Sequence, residues 1–314
     1  MLGYAARRLV ETIPTLILVG LAVFVLMRLI PGDPVQVMLG EGADPATIAR
    51  FRAELGLDGP LPLQLLAWFA ALAQGDFGVS IVSGEPVLPL LLARFQISAT
   101  IVMVAVALAT LVAVPVGLLA AWRQDGIADL AIVATATLLL SIPSFWLGLV
   151  LLLIFGLKLG WLPVVGTVPA GEGAWASVGP LVLPVITLVL VEVGVLARMM
   201  RASAIDVLRL DYVTNARAKG LSELRILARH VLPNAFAPTW TLVGLILGNL
   251  LGGIAVLETV FTIPGFGRLL VDGIYARDYP VVQGCLLVTA TVYVVVNLVV
   301  DLCYPLFDPR VATR

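Results

Sequence analysis

Long runs without a single charged side chain constrain this chain more than any other feature. They cover residues 12–27, 95–122, 130–157, 173–191, 231–257 and 279–300. A helix needs about 20 apolar residues to cross roughly 30 Å of hydrocarbon. Most of the runs reach or approach that length. The shorter first run is extended by Leu29 and Ile30 beyond Arg28, whose long side chain can snorkel to the interface. Charged residues make up 12% of the 314 and apolar ones 61%, against about 25% and about 45–50% in an ordinary soluble domain. So little charge cannot give a globule of this size a soluble surface. The reading is an all-α integral membrane protein with six transmembrane helices. A cleaved secretory signal is a poor account of the first run, because the apolar stretch is long and no small-x-small site follows it.

The same composition removes other classes of function. A formal net charge of −1 leaves no basic field for nucleic acid. Cys285 and Cys303 are the only cysteines; on one helix they stand about 27 Å apart and cannot share a metal ion. Neither lysine, Lys158 nor Lys219, follows a glycine, so there is no phosphate-binding loop. His230 is the single histidine and has no partner for a metal site or a nucleophile triad. The chain reads as a non-enzyme that binds no cofactor. If it moves solute uphill, the energy comes from an ion gradient or another subunit.

Lys and Arg set the expected orientation. With the N-terminus inside, Arg7, Arg8, Arg123, Arg198, Arg201, Arg209, Arg217, Lys219, Arg225, Arg229, Arg310 and Arg314 all lie inside. The outside keeps Arg28, Arg50, Arg52, Arg94, Lys158, Arg268 and Arg277. The excess predicts an N-in, C-in topology. The chain then reads as one domain, 1–314: a first span (1–30), an outer loop (31–96) and a five-span core (97–304). The outer loop opens on the turn Pro31-Gly32-Asp33-Pro34, followed by a short helix capped at Asp44-Pro45. Residues 63–72, with Trp68 and Phe69, are apolar but too short to cross, and are expected on the membrane surface.

The one long polar stretch inside is 198–233. Residues 203–219 are helix-prone, and Gly220 can take the left-handed conformation that ends a helix. Ser222 is placed to cap a second short helix, and Pro233 opens the next span, where its missing amide costs nothing. The result is a bent pair of short helices, with Ala216, Ala218 and Gly220 at the corner. Such a knob fits a groove on a cytoplasmic partner; the plainer alternative is a solvated loop.

The wording of this stretch, Asp211-Tyr-Val-Thr-Asn-Ala-Arg-Ala-Lys-Gly220-Leu-Ser, followed by His230-Val-Leu232-Pro233, resembles the EAA loop of permease subunits of ATP-binding-cassette importers. That pattern is Glu-Ala-Ala-x3-Gly-x9-Ile-x-Leu-Pro. Ala216, Gly220, Leu232 and Pro233 match it in register, while Thr214, Asn215 and His230 replace its Glu, Ala and Ile. The form here is similar to the dipeptide/oligopeptide/nickel subfamily. Further blocks resemble the same subfamily: Arg7-Arg8-Leu9 with Ile13-Pro14-Thr15, Gly75-Asp76-Phe77-Gly78-Val79-Ser80, Glu258 to Gly267, Arg277 to Gly284, and Asp308-Pro309-Arg310.

The resemblance implies a type I importer permease fold with a cytoplasmic coupling helix, in the bacterial inner membrane. It implies a B-type chain that shares the pathway with a second permease subunit, with ATP and Mg held by two cytoplasmic ATP-binding subunits. An extracytoplasmic solute-binding protein would deliver the cargo. Asp211, Thr214, Asn215, Ala216, Arg217, Lys219, Gly220, His230, Leu232 and Pro233 become the ATPase-coupling loop. Dipeptides and oligopeptides are the expected cargo; nickel chelates, glutathione-like and opine-like solutes stay open. The rival class is an ion-coupled secondary transporter, which ordinarily carries ionisable residues in several spans.

Within the spans, Gly244, Gly248 and Gly252 recur every four residues, a spacing that lets helix backbones approach. A seam against a neighbouring helix, in this chain or the partner permease, is expected there. Glu192 is an ionisable group inside a span and, with Asn297, a candidate for the pathway. The alternative for Glu192 is an ion pair with an arginine of the inner segment. Pro115 and Pro143 are expected to kink their helices.

Overall fold

The computed structural model describes residues 2–29, 35–36, 42–54, 58–164 and 174–307. The expected turn at Pro31–Pro34 and the block Asp308–Arg310 lie outside them. The described residues are almost entirely helical; the one strand-like feature among them is an isolated bridge between Val79 and Pro86.

In chain order the helices are α1 (Leu2–Leu29), α2 (Pro45–Glu54), α3 (Leu61–Ala73), α4 (Val87–Trp122), α5 (Ile127–Ser141), α6 (Ser144–Leu151) and α7 (Ala174–Leu208). They continue with α8 (Asp211–Ala218), α9 (Glu223–Ile226), α10 (Leu232–Gly253), α11 (Ala255–Val260), α12 (Phe266–Tyr275) and α13 (Tyr279–Phe307).

Among the described residues, five stretches are long and apolar enough to cross a membrane: Arg7–Leu29, Val87–Trp122, Val178–Leu208, Glu223–Gly253 and Tyr279–Tyr304. The expected third span departs from a single rod. It is two helical pieces, Ile127–Ser141 and Ser144–Lys158, bent by 97°. The cause is local. A residue before proline is pushed out of the helical region, and Ile142 is extended (φ −93°, ψ 124°). Pro143 therefore breaks this span, whereas Pro115 stays inside the continuous α4.

The polar inner segment also begins differently from expectation. Residues 198–202 already belong to α7, which runs unbroken to Leu208, and the helix expected over 203–219 is interrupted at residues 209–210, where Leu210 is extended, before α8 begins. At the other side, α10 stops at Gly253 and Glu258 sits in the separate α11.

α4 and α7 form the centre and pack along each other. A Cβ at Gly117 would stand 2.6 Å from the Ala197 carbonyl oxygen and 2.7 Å from Met200 Cβ, so only glycine allows the crossing. Small residues extend this stripe along α4 at four-residue spacing through Ala105, Ala109 and Ala113, all fully buried. In lipid such close packing replaces the hydrophobic effect as the source of helix association. A central cluster joins α4, α7, α10 and α11 through residues such as Ile101, Leu196, Val243, Leu257 and Phe261.

Two smaller clusters close the ends. Ala121, Met200, Ala204, Val213, Ala216, Ile226, Val231 and Ala235 gather at one end, Val87, Leu91, Phe266, Val281 and Cys285 at the other. α1 flanks α13, with Arg8 Nη1 3.4 Å from Asp301 Oδ2. The apolar α3 lies against α1, where Trp68 meets Phe24 and Phe69 fills the space above Gly20. Gln64 accepts a 2.6 Å hydrogen bond from Arg28 Nη2.

Candidate functional site

The segment that follows α7 is a bent knob at one end of the bundle. α8 ends in two paired backbone bonds. Leu221 N–H donates to the Ala216 carbonyl at 3.3 Å and Gly220 N–H to the Arg217 carbonyl at 2.9 Å. This is the double bond set of a glycine-terminated helix, and it requires the left-handed conformation that Gly220 adopts at φ 81°. Across the bend, Arg217 grips Glu223 with two bonds of 2.8 and 3.2 Å. A fork-on-fork pair of this kind fixes orientation as well as distance.

Ser222 stands immediately before α9, at the capping position, with extended backbone, but its hydroxyl makes no capping bond. The expected cap is thus one of position only, and the Arg217–Glu223 pair fastens the bend. From Leu227 to Val231 the backbone widens into π-type bonding before α10 begins. His230 lies in this widened turn, its ring centroid 6.5 Å from that of Tyr212. Partial burial pushes the Tyr212 phenol above its ordinary value.

Burial divides the knob into two faces. Val213 and Ala216 point into the end cluster with Ala121, Met200, Ala204 and Ile226. Asp211, Thr214, Asn215, Arg217, Ala218, Lys219 and Gly220 are exposed. Ala216 therefore is not part of an open corner with Ala218 and Gly220, because two residues along a helix, a little over half a turn, put Ala216 and Ala218 on opposite faces. Leu232 is half-buried, Pro233 is exposed in the first turn of α10, and Leu224 projects with 78% of its surface exposed. An exposed leucine and Tyr212 among polar and basic groups, on a helix whose other face is pinned to three long helices, make a rigid handle.

The remaining candidates fall elsewhere. Gly244, Gly248 and Gly252 all face α13 of the same chain. Gly244 lies against Val300, and Cβ atoms at Gly248 and Gly252 would stand 2.6 Å from Tyr293 Cδ2 and 3.2 Å from Thr289 Cγ2. Glu192 is buried one turn from both Leu188 and Leu196, which belong to the central cluster. Among the described residues no ion pair reaches it, because Arg201 is taken by Asp129 and Arg198 is exposed. Asn297 donates 2.9 Å to the Tyr293 carbonyl one turn back, so its amide serves its own helix.

Sequence reasoning missed two buried carboxylates at the far end. Asp278, 3% exposed, accepts from Ser80 Oγ at 2.5 Å and from the amides of Ile81 and Val82 at 3.2 and 3.4 Å. Glu258, 1% exposed, accepts from Ser98 Oγ and from the Arg268 amide at 2.8 Å, at the start of α12. Burial pushes the Glu258 carboxyl up, while these donors pull against that shift. Both carboxylates sit in sequence blocks noted above, but nothing in those blocks announces which loop they bind.

Comparison with known proteins follows the same lines. Residues 113–313 match the model of the binding-protein-dependent transport system inner membrane component, and residues 1–104 match the N-terminal model of such membrane components. A probable peptide ABC transporter permease of Sinorhizobium fredii is 40% identical over 308 residues, covering 98% of each chain. A dipeptide transport permease of Alkalihalophilus pseudofirmus is 38% identical over 331 residues, and a glutathione transport permease of Pectobacterium atrosepticum 40% over 311, each covering 99% of both chains. Among solved structures, inward-facing MetNI methionine ABC transporter superposes with a TM-score of 0.56 at 18% identity, covering 69% of this chain and 96% of that one. That likeness concerns the fold.

Proposed function

The chain belongs to the family of binding-protein-dependent transport system inner membrane components, and from that premise we propose how it works. It is a multi-pass inner-membrane permease subunit of an ABC importer. In our reading it lines a pathway together with a second permease and is driven by two cytoplasmic ATPase subunits, which hold ATP and Mg. An extracytoplasmic binding protein hands over the solute. The knob formed by α8 and α9 lies in the cytoplasm, the N- and C-termini share that side, and the Ser80–Asp278 and Ser98–Glu258 contacts lie outside.

The observation that carries this reading is the two-faced knob. Its buried face, Val213 and Ala216, ties it to α4, α7 and α10; its open face presents Tyr212, Leu224 and exposed basic groups. A partner that pushes this handle moves the central helices, because the bend is fixed by Gly220 and by Arg217–Glu223. Short peptides are the cargo we propose, supported by the names of the relatives. Glutathione, itself a tripeptide, belongs to the same chemical class.

The test is uptake into vesicles holding the full complex. Dipeptide or oligopeptide accumulation should require ATP on the knob side and the binding protein on the other. Accumulation by this chain alone, driven by a proton gradient, would reject the reading in favour of a secondary transporter.

A further inference from the structure

Apart from Gln64, α3 is built of apolar residues, and no charged residue stands between Asp58 and Asp76. None of its 13 residues is buried within the chain. One side meets α1 at successive levels. Gln64 accepts from Arg28, Trp68 packs on Phe24 with ring centroids 5.6 Å apart, and Phe69 covers Gly20. The opposite side, formed by Leu63, Leu66, Ala67 and Ala70, is exposed. A helix resting at the water boundary turns a polar or charged face outward. α3 has no such face, so its apolar composition fits the membrane surface less well than its length suggests.

Its contacts with α1 set its depth. Arg8, in the early part of α1, lies 3.4 Å from Asp301 in the late part of α13. The two helices therefore run antiparallel, and Arg28 lies at the same end of the bundle as Tyr279. Gly20 is eight residues, about 12 Å, from Arg28 along α1. Half of the hydrocarbon layer is roughly 15 Å thick, so the Phe69 ring reaches far below the interface.

The chain then turns back. Gly75 takes the left-handed conformation at φ 80°, and Phe77 packs against the end cluster of Val87, Leu91, Phe266 and Val281. The deep end of α3 keeps its carbonyls paired: Ala70 accepts from Gln74 Nε2 at 3.2 Å, Ala71 from the Asp76 amide at 2.9 Å and Leu72 from the Gly75 amide at 3.0 Å. Backbone groups in hydrocarbon need such internal partners, because no water is there to supply them. At the same depth the exposed residues of α1, Leu21, Val25 and Leu26, are apolar too, so the medium that covers this span covers α3.

We propose that α3 is a re-entrant helix submerged in the leaflet at this end of the bundle, with lipid acyl chains on the face formed by Leu63, Leu66, Ala67 and Ala70. That the leaflet is the outer one rests on the orientation given above.

The experiment uses the full complex in lipid vesicles that keep the cell's outer face outward, with the native cysteines, Cys285 and Cys303 among them, replaced. Nitroxides are placed one at a time at Leu63, Leu66, Ala70 and the exposed loop residue Val82. Two relaxing agents are compared: molecular oxygen, which concentrates in hydrocarbon, and a water-soluble nickel chelate. Relaxation by the chelate should be lost at Leu66 and Ala70 and strong at Val82, and the oxygen-to-chelate ratio should rise from Leu63 to Ala70. Chelate relaxation at Leu66 and Ala70 as strong as at Val82 places the helix in water and overturns the proposal. Loss of relaxation by both agents at these two sites means a protein chain covers the face, and overturns it equally. A second pair of variants needs no label: Ala70→Asp should lower the amount of chain in the membrane, and Ala70→Leu should not. Equal amounts of the two also overturn it. Relaxation of Val82 only by chelate sealed inside rejects the orientation and leaves the submersion standing. Oxygen-dominated relaxation at Leu66 and Ala70 in a complex that takes up no peptide with ATP rejects the transport reading instead.

Discussion

The Ser98 hydroxyl stands between the Glu258 carboxylate, to which it donates, and the Phe266 amide, from which it accepts at 2.7 Å. One side chain on α4 and one on α11 thereby supply acceptors to the start of α12, where the Arg268 amide also points at Glu258. The first turn of a helix leaves amides without partners, and an anion there is favoured by the helix dipole. Gly265 belongs to the arrangement, because any Cβ at that position would run into the Glu258 carboxylate.

Glu258→Ala should destabilise the folded permease by about 1–3 kcal/mol, the cost of leaving buried donors unpaired. Glu258→Gln retains one acceptor and should lose less. Thermal unfolding of the purified chain in detergent measures both. Equal melting temperatures for wild type and Glu258→Ala would show that these amides find other partners.

The glycines of α10 should show a graded response set by the room opposite each one. Gly252→Ala asks Thr289 to give a few tenths of an ångström, whereas Gly248→Leu drives a side chain into the Tyr293 ring. Overpacking of the second kind costs about 1–3 kcal/mol or more. Gly248→Leu should lower the yield of folded chain in the membrane, with Gly252→Ala near wild type. Since the seam is within one chain, the loss should appear even without the second permease.

At Gly220 a Cβ would meet nothing within 4 Å, so substitution there tests backbone conformation alone. Gly220→Val should cost roughly 1–2 kcal/mol in the knob, and Gly220→Asn, which tolerates the left-handed region, should cost less. ATP-coupled uptake should follow the order Gly, Asn, Val. An Asn variant as impaired as the Val variant would remove the conformational explanation.

Ala216→Asp and Leu224→Asp should fail in different ways. The first buries a charge among Ala121, Met200 and Ile226 and should lower the melting temperature of the isolated permease. The second changes an exposed side chain and should leave that temperature alone while reducing co-purification with the ATPase subunits. Both effects appearing together in Leu224→Asp would mean the open face is part of the fold.

Cysteine introduced at Gly59 should react with an impermeant thiol reagent added to intact cells, and cysteine at Ser222 should not, with Cys303 replaced in both. The positive-inside excess motivates this. Labelling at Ser222 from outside would invert the assigned orientation.

The long helices were legible because charge-free runs leave few alternatives in a chain this apolar. The conformation of Gly220 was legible too, since a glycine ending a helix-prone stretch and followed by Leu-Ser has few other uses. Helix ends were less so. The body of α7 continues past Arg198 because nothing breaks it before Leu210, and charge marks where lipid ends rather than where a helix ends. Pro143 announced a bend, but its 97° size depends on what α5 and α6 each pack against. Ser98–Glu258, Ser80–Asp278 and Asp129–Arg201 were out of reach for a different reason. Each joins residues far apart in the chain, and each partner taken alone reads as an ordinary solvated group near a span end. The stripe Ala105, Ala109, Ala113 and Gly117 could have been found by the same four-residue spacing that singled out Gly244, Gly248 and Gly252.

Asp278 imposes an order on how the chain is made. It lies 198 residues after Ser80, whose loop donates hydrogen bonds to the Asp278 carboxylate. At about 5–20 residues per second of synthesis, that loop waits roughly 10–40 s after translation before its acceptor exists. Through that interval the amides of Ile81 and Val82 lack this acceptor while four further spans enter the bilayer. This end of the bundle is therefore completed from its last-made piece backwards, and a chain that stalls before its final span leaves it unfinished.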